Sequence, residues 1–153
     1  MRPLKATINH QALLSNLAHI KKIANQSKIM SVLKANAYGH NLLDVAKTLM
    51  ASDGFAVLSV NEAIQLRENK FKQMILLLEG FFSKDEVNIA SELRINVTVH
   101  NQRQIELINQ AKPVIPINIH LKINTGMNRL GFMPNEINYL LESLGSNPYI
   151  ADI

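Results

Sequence analysis

The 153-residue chain contains no cysteine and no tryptophan, and aromatic residues make up only 5% of it. Without cysteine it can form neither a disulfide framework nor a thiolate metal site. With so few rings, stacking platforms for single-stranded nucleic acid are not expected. No apolar run reaches the ~18 residues of a transmembrane helix, and the opening MRPLKATINHQ lacks the apolar stretch of a signal peptide. Blocks of like charge are missing too. Sixteen Lys and Arg against twelve Asp and Glu leave +4, scattered along the chain, which predicts a solvated surface and no nucleic-acid face. His10, His19, His100 and His120 fall at no ligand spacing, there is no HExxH and no paired acidic cluster, and no metal is expected. The reading is a cytoplasmic protein with no membrane and no nucleic-acid partner.

What is present points to a folded domain. Hydrophobic residues reach 47% and charged residues 18%, as in ordinary globular proteins and unlike disordered ones. The length predicts one domain over 1–153. Short apolar runs at 29–33, 55–59, 74–78, 96–99 and 117–123 read as strands buried on both faces, with a further strand opening near 150. Between them lie amphipathic helices: Leu13, Leu17, Ile20 and Ala24; Leu42, Val45, Ala46, Leu49 and Met50; Ile137, Leu140, Leu141 and Leu144. Ser59-x-x-Glu62 and Ser83-x-x-Glu86 have capping-box spacing, Asn101-x-x-Gln104 is a weaker version, and Pro134 suits a first helical turn. His100 and His120 read as hydrogen-bonded core residues, His10 and His19 as helix-surface residues, and the six methionines as core filling.

This cadence of one βα unit every ~20–30 residues defines a parallel α/β fold. Two architectures fit it. A doubly wound sheet suits ~150 residues, yet neither GxGxxG nor GxxxxGK[ST] occurs. A (β/α)8 barrel of the TIM type needs ~200 residues or more. Composition leaves both open.

Chemistry concentrates in two strings. The first is Lys34-Ala-Asn-Ala-Tyr-Gly-His40. An apolar strand delivers Lys34 at its C-terminal end, the edge where parallel α/β folds build sites. A poorly hydrated lysine there suits an imine-forming amine, or snorkels off the strand end into water. Tyr38 brings a hydroxyl that can reach an anion. The second string is Leu121-Lys-Ile-Asn-Thr-Gly-Met-Asn-Arg-Leu-Gly131. Arg129 suits a carboxylate clamp because it is always charged and forks. Lys122 could equally be a structural lysine beside a carboxylate.

Together the two strings resemble the signatures of the alanine racemases, pyridoxal-phosphate enzymes that interconvert L- and D-alanine. Arg2-Pro3 with Ala6-x-Ile8-Asn9, Phe55-Ala-Val57, Glu62-Ala-x-x-Leu-Arg67, Ile75-Leu-Leu-Leu-Glu-Gly80 and Val99-His100 extend the match. The resemblance implies the N-terminal part of an incomplete (β/α)8 barrel, about five βα units plus the start of a sixth strand, with the rest of the barrel and a C-terminal β domain absent. It implies a cytoplasmic homodimer that supplies D-alanine for peptidoglycan. It gives Lys34 the role of covalent cofactor holder and of base on one substrate face. Tyr38 would bind the cofactor phosphate. Arg129 would serve cofactor and substrate carboxylate, and Lys122 matches a position carbamylated in some members. Alone, such a fragment would lack the second base and the phosphate loops and would be inactive. A non-catalytic remnant with weak or no cofactor binding is the alternative, and so is a racemase of broader amino-acid range; a decarboxylase of the same barrel class is a further reading, against which the full Lys34-to-His40 string argues. Asn124 stands where the family usually has Asp, which predicts altered protonation of Lys122. Asn41 stands for a usual Gly and is expected to cap the next helix.

Overall fold

The computed structural model describes residues 4–153; the Arg2-Pro3 pair lies outside them. Six parallel strands carry the fold: β1 (Met30–Val32), β2 (Gly54–Val57), β3 (Met74–Leu77), β4 (Asn96–Val99), β5 (Ile117–Leu121) and β6 (Ile150–Asp152). Each pairs with the next, in the order β1-β2-β3-β4-β5-β6. A doubly wound sheet reverses its strand order at a switch point. This one never does, so the winding is that of a (β/α)8 barrel, as an open part of one.

Helix α1 (His10–Ala24) precedes β1, and α2 (Leu42–Thr48), α3 (Val60–Glu68), α4 (Lys84–Glu92), α5 (Gln102–Ala111) and α6 (Ile137–Gly145) follow the strands in turn. Their starts obey the sequence signals. Ser59 and Glu62 form a reciprocal capping box, Ser83 accepts from the Glu86 amide, and Asn101 accepts from the Gln104 amide. Pro134 opens a 3-10 turn, Pro134–Glu136, that leads into α6. Asn41 has φ 72° and its side chain accepts from the Leu43 and Asp44 amides, so it caps α2 from left-handed backbone.

Alternate strand residues face the helices and are sealed. Phe55, Val57, Ile75, Leu77, Val97, Val99, Ile117 and Ile119 are all at most 2% exposed. They pack on Ala63 and Leu66, Val87 and Ala90, Ile108, and Leu144. Burying each large side chain contributes roughly 1.5–3 kcal/mol. At the N-terminal end of the strands, Arg67 donates to four carbonyls, those of Phe71, Gln73, Leu93 and Arg94. Burial lowers its pKa. It ties α3 to the turns entering β3 and β4.

The opposite sheet face corrects several expectations. Val32 is 47% and Met74 40% exposed, and Asn118 and His120 are exposed. β5 is therefore apolar on one face only. His120 is no core residue; its Nε2 lies 3.4 Å from the Asn96 side-chain amide. Among the described residues the methionines do not fill the core either: Met50, Met127 and Met133 are more than half exposed. Helix α2 ends at Thr48, before Leu49 and Met50. On α1 only Leu17 is buried, and Ile20 is 48% exposed; this helix packs beside α2, with His10 Nδ1 bonding Thr48 Oγ1 at 2.6 Å.

Candidate functional site at the strand C-termini

Lys34 follows β1 by two residues and is half-buried. The preceding Leu33 extends the ladder, its amide donating to Ala56 O at 2.8 Å. What comes next is no ordinary loop. Ala35, Asn36, Ala37 and Tyr38 have φ of 52–54°, and the first three have ψ of 46–50°. Successive residues of that hand make a left-handed helical turn. Its hydrogen bonds are helical, from Ala37 N to Leu33 O at 2.7 Å and from Gly39 N to Ala35 O at 3.1 Å. Left-handed backbone costs an L-residue roughly 1–2 kcal/mol, somewhat less for Asn. Such strain persists only where surroundings enforce it, and it gathers at functional sites. The small side chains of Ala35, Asn36 and Ala37 limit the clash.

The turn returns Tyr38 over Lys34. The Lys34 Nζ lies 5.9 Å from the Tyr38 ring centroid, within reach of a cation–π attraction. Tyr38 is 63% exposed. His40 closes the turn, its Nδ1 bonding Ala37 O at 2.9 Å. Asn36 Oδ1 accepts from Leu42 N at 2.8 Å.

Lys122 stands one residue past the end of β5, not mid-strand as its apolar run suggested. Its amide still donates to Val99 O, and its Nζ donates to Leu78 O at 2.9 Å. Desolvation lowers its pKa, the charges of Arg129 and Lys34 add to that, and Glu79 opposes it. Lys34, Lys122 and Arg129 therefore act on one region of positive potential. Glu79 is placed by the loop after β3, where its carbonyl accepts from His100 Nε2 at 3.1 Å and Gln104 Nε2 at 2.7 Å. His100 Nδ1 faces the Asn101 side-chain amide at 3.1 Å, which fits the tautomer with hydrogen on Nε2. Gly80 makes this arrangement possible: with φ 71°, a Cβ there would lie 2.4 Å from both Thr98 O and Gln104 Nε2.

Arg129 is exposed, in the loop between β5 and the 3-10 turn. Asn124 organises that loop. Its Oδ1 accepts from Gly126 N and Asn128 N, both at 3.0 Å, and its Nδ2 donates to Asn128 Oδ1 at 2.9 Å. An aspartate could not make the last bond.

Two features of the site had no sequence signal strong enough to find them. Four consecutive left-handed residues without glycine contradict ordinary propensity. Glu62 reads as a capping residue, yet its second oxygen accepts from Asn36 N at 2.8 Å.

A serially wound parallel sheet with a lysine, a tyrosine and an arginine on loops at its C-terminal edge is the open part of a (β/α)8 barrel that gathers an amine, a phenol and a guanidinium at that edge. The family model described as "Alanine racemase, N-terminal domain" matches residues 8–152. The alanine racemase of Nitrosomonas europaea is 50% identical over 143 residues, which is 94% of this chain and 40% of that protein. That of Erwinia tasmaniensis is 45% identical over 152 residues, covering 99% of this chain and 43% of that protein. The crystal structure of the biosynthetic alanine racemase from Pseudomonas aeruginosa superimposes with a TM-score of 0.93 at 39% identity, over 99% of this chain and 42% of that one. The chain belongs to the alanine racemase family, and it spans about two fifths of the length of these relatives.

Proposed function

We propose that these residues form the lysine-bearing side of a pyridoxal-phosphate-dependent racemase that interconverts L- and D-alanine. On this reading the protein works as a cytoplasmic homodimer and supplies D-alanine for the cell wall. The observation that carries it is the presentation of Lys34 beside Tyr38 by the strained turn, in a field shared with Lys122 and Arg129. The donor set fits the cofactor: an amine for its aldehyde, and a phenol and a guanidinium for its anionic groups.

Bound there, pyridoxal phosphate would supply the electron sink that allows a substrate Cα to lose a proton. Lys34 would hold the cofactor through Nζ, and once the substrate's amine has replaced it there, the freed Lys34 amine would move the proton on one face of Cα. The Tyr38 hydroxyl donates to the phosphate. Arg129 forks onto the substrate carboxylate and stays charged throughout. Lys122 stands behind Arg129. Its lowered pKa raises the neutral-amine fraction that reacts with carbon dioxide, and a carbamylated Nζ would keep one N–H for Leu78 O.

Inversion also calls for a proton donor on the other face, and we assign no residue of 4–153 to that role. The polypeptide 1–153 purified alone is therefore expected to exchange the Cα hydrogen of L-alanine without forming D-alanine faster than free cofactor does. Borohydride reduction of the full-length protein with pyridoxal phosphate, followed by peptide mapping, tests the core of the reading. The label is expected on Lys34. Label on other lysines with Lys34 unmodified would overturn it.

A further inference from the structure

The left-handed turn needs an external tie, and one carboxylate supplies it. Glu62 lies in the first turn of α3, where the helix dipole favours a negative charge. Its Oε2 accepts from Leu58 N at 3.0 Å and Ser59 N at 3.3 Å, while its Oε1 accepts from Asn36 N at 2.8 Å. Asn36 is the middle of the turn between Lys34 and Tyr38. Charge-assisted bonds of this kind are the stronger ones. Thus a helix cap of the second βα unit also grips the backbone that aims the side chains of the first.

The third unit provides an internal contrast. Glu86 occupies the matching place in α4, with Oε2 accepting from Phe82 N and its own amide donating to Ser83 Oγ at 3.2 Å. Its bonds stay within its own unit.

We propose that Glu62 is a positioning residue for the site: by holding Asn36 it fixes the turn that orients Lys34 and Tyr38 toward the cofactor. The proposal rests on the functional reading above. Its content is that the capping carboxylate of α3 controls cofactor affinity, whereas that of α4 does not.

The test uses the full-length protein and two readouts besides turnover, the pyridoxal phosphate dissociation constant and borohydride trapping on Lys34. Glu62→Gln leaves one acceptor oxygen for three amides, and is expected to weaken cofactor binding about tenfold or more. Glu86→Gln is expected to stay within about twofold while lowering the melting temperature comparably. Glu62→Asp keeps the charge and the cap but falls short of Asn36, so it should fold well and still lose affinity. In a Tyr38→Phe background the affinity effect of Glu62→Gln should shrink, because part of what it positions is already gone. Equal affinity for Glu62→Gln and Glu86→Gln would overturn the proposal, as would an undiminished effect in the Tyr38→Phe background. A measurement needing no variant guards against misfolding: the Asn36 amide should exchange slowly in the unmutated protein, and free exchange there would also overturn it. If Lys34→Ala and Tyr38→Phe bind and trap the cofactor as well as the unmutated protein, the functional reading itself falls and takes the proposal with it. If those variants fail to bind while Glu62→Gln binds normally, only the Glu62 assignment falls.

Discussion

The loop after β1 and the loop after β5 both bring cations to the same edge of the sheet, by opposite means. The first is short, wound left-handed from Ala35 to Tyr38, and tied through Glu62, Asn36 and His40. The second is longer and mostly exposed, and it leans on one asparagine, Asn124, that satisfies its amides from within. The difference fits the roles proposed above. On that proposal Lys34 bonds covalently and moves a proton, which needs a fixed position, because misplacement by an ångström costs orders of magnitude. Arg129, proposed as a clamp, can meet a mobile carboxylate by swinging.

The largest expected effect tests the strain in the first loop. Ala37 is buried at φ 52° and ψ 46°. A β-branched residue is a severe outlier there, so Ala37→Val is expected to cost about 3 kcal/mol from backbone and packing together. Met127 in the second loop is 77% exposed, and Met127→Val should stay within about 0.5 kcal/mol. Denaturant unfolding of the two variants checks the contrast, and similar losses would erase it. Ala37→Val should also lower borohydride trapping on Lys34.

The same contrast explains what could be read from the sequence. Strand positions, helix starts and the placement of Lys34 at a strand end were legible, because apolar runs and Ser-x-x-Glu spacing are local signals. The serial strand order was not, since nothing local in β3 tells it to lie between β2 and β4. The resemblance supplied that, and the observed order agrees. The polar character of the second sheet face is half visible in the sequence: His120 and Asn118 alternate with Ile117 and Ile119, yet the run as a whole reads as apolar on both faces. The reach of Glu62 across to Asn36 was invisible, because a capping carboxylate looks the same whether it has one duty or two. Nor could sequence show that Asn124 spends its side chain on Gly126 and Asn128.

In the second loop, Arg129→Lys should leave the melting temperature nearly unchanged, as expected for an exposed side chain. If the proposed racemase function holds, turnover of the full-length protein should fall roughly 10–100-fold, because the ammonium keeps the charge and loses the planar fork. Unchanged kinetics with a lowered melting temperature would make Arg129 a structural residue. A smaller effect is expected for Asn124→Asp. It keeps the acceptors for Gly126 N and Asn128 N and loses the donor to Asn128 Oδ1. The stability loss should be about 1 kcal/mol. A loss several times larger would mean that this loop, too, is rigidly held.

The smallest effect joins the two loops electrically and concerns Lys122. Its pKa lies below that of an ordinary lysine because burial disfavours the charge, and Arg129 and Lys34 add to this against Glu79. The sign follows from proton counts. Between the lowered folded value and the ordinary unfolded value, the unfolded chain binds more protons at this lysine than the folded one. Stability from this group therefore rises with pH across that window, as the penalty of holding a charged amine near two other cations disappears. Lys122→Met lacks the titration, so the stability difference between the unmutated protein and this variant should shift toward the unmutated protein as pH increases. Glu79→Gln removes the one charge that favours the protonated amine and should move the window to lower pH. Arg129→Ala should move it higher, and a change at the exposed loop would then be read at the rigid strand end. The measurements belong in buffer freed of carbon dioxide, because a carbamylated Lys122 no longer titrates as an amine. Adding bicarbonate should flatten the slope and add the mass of one carbon dioxide to the peptide holding Lys122. A slope that is absent without carbon dioxide, or that Arg129→Ala leaves in place, would separate the two loops and make Lys122 a hydrogen-bonding partner of Leu78 alone.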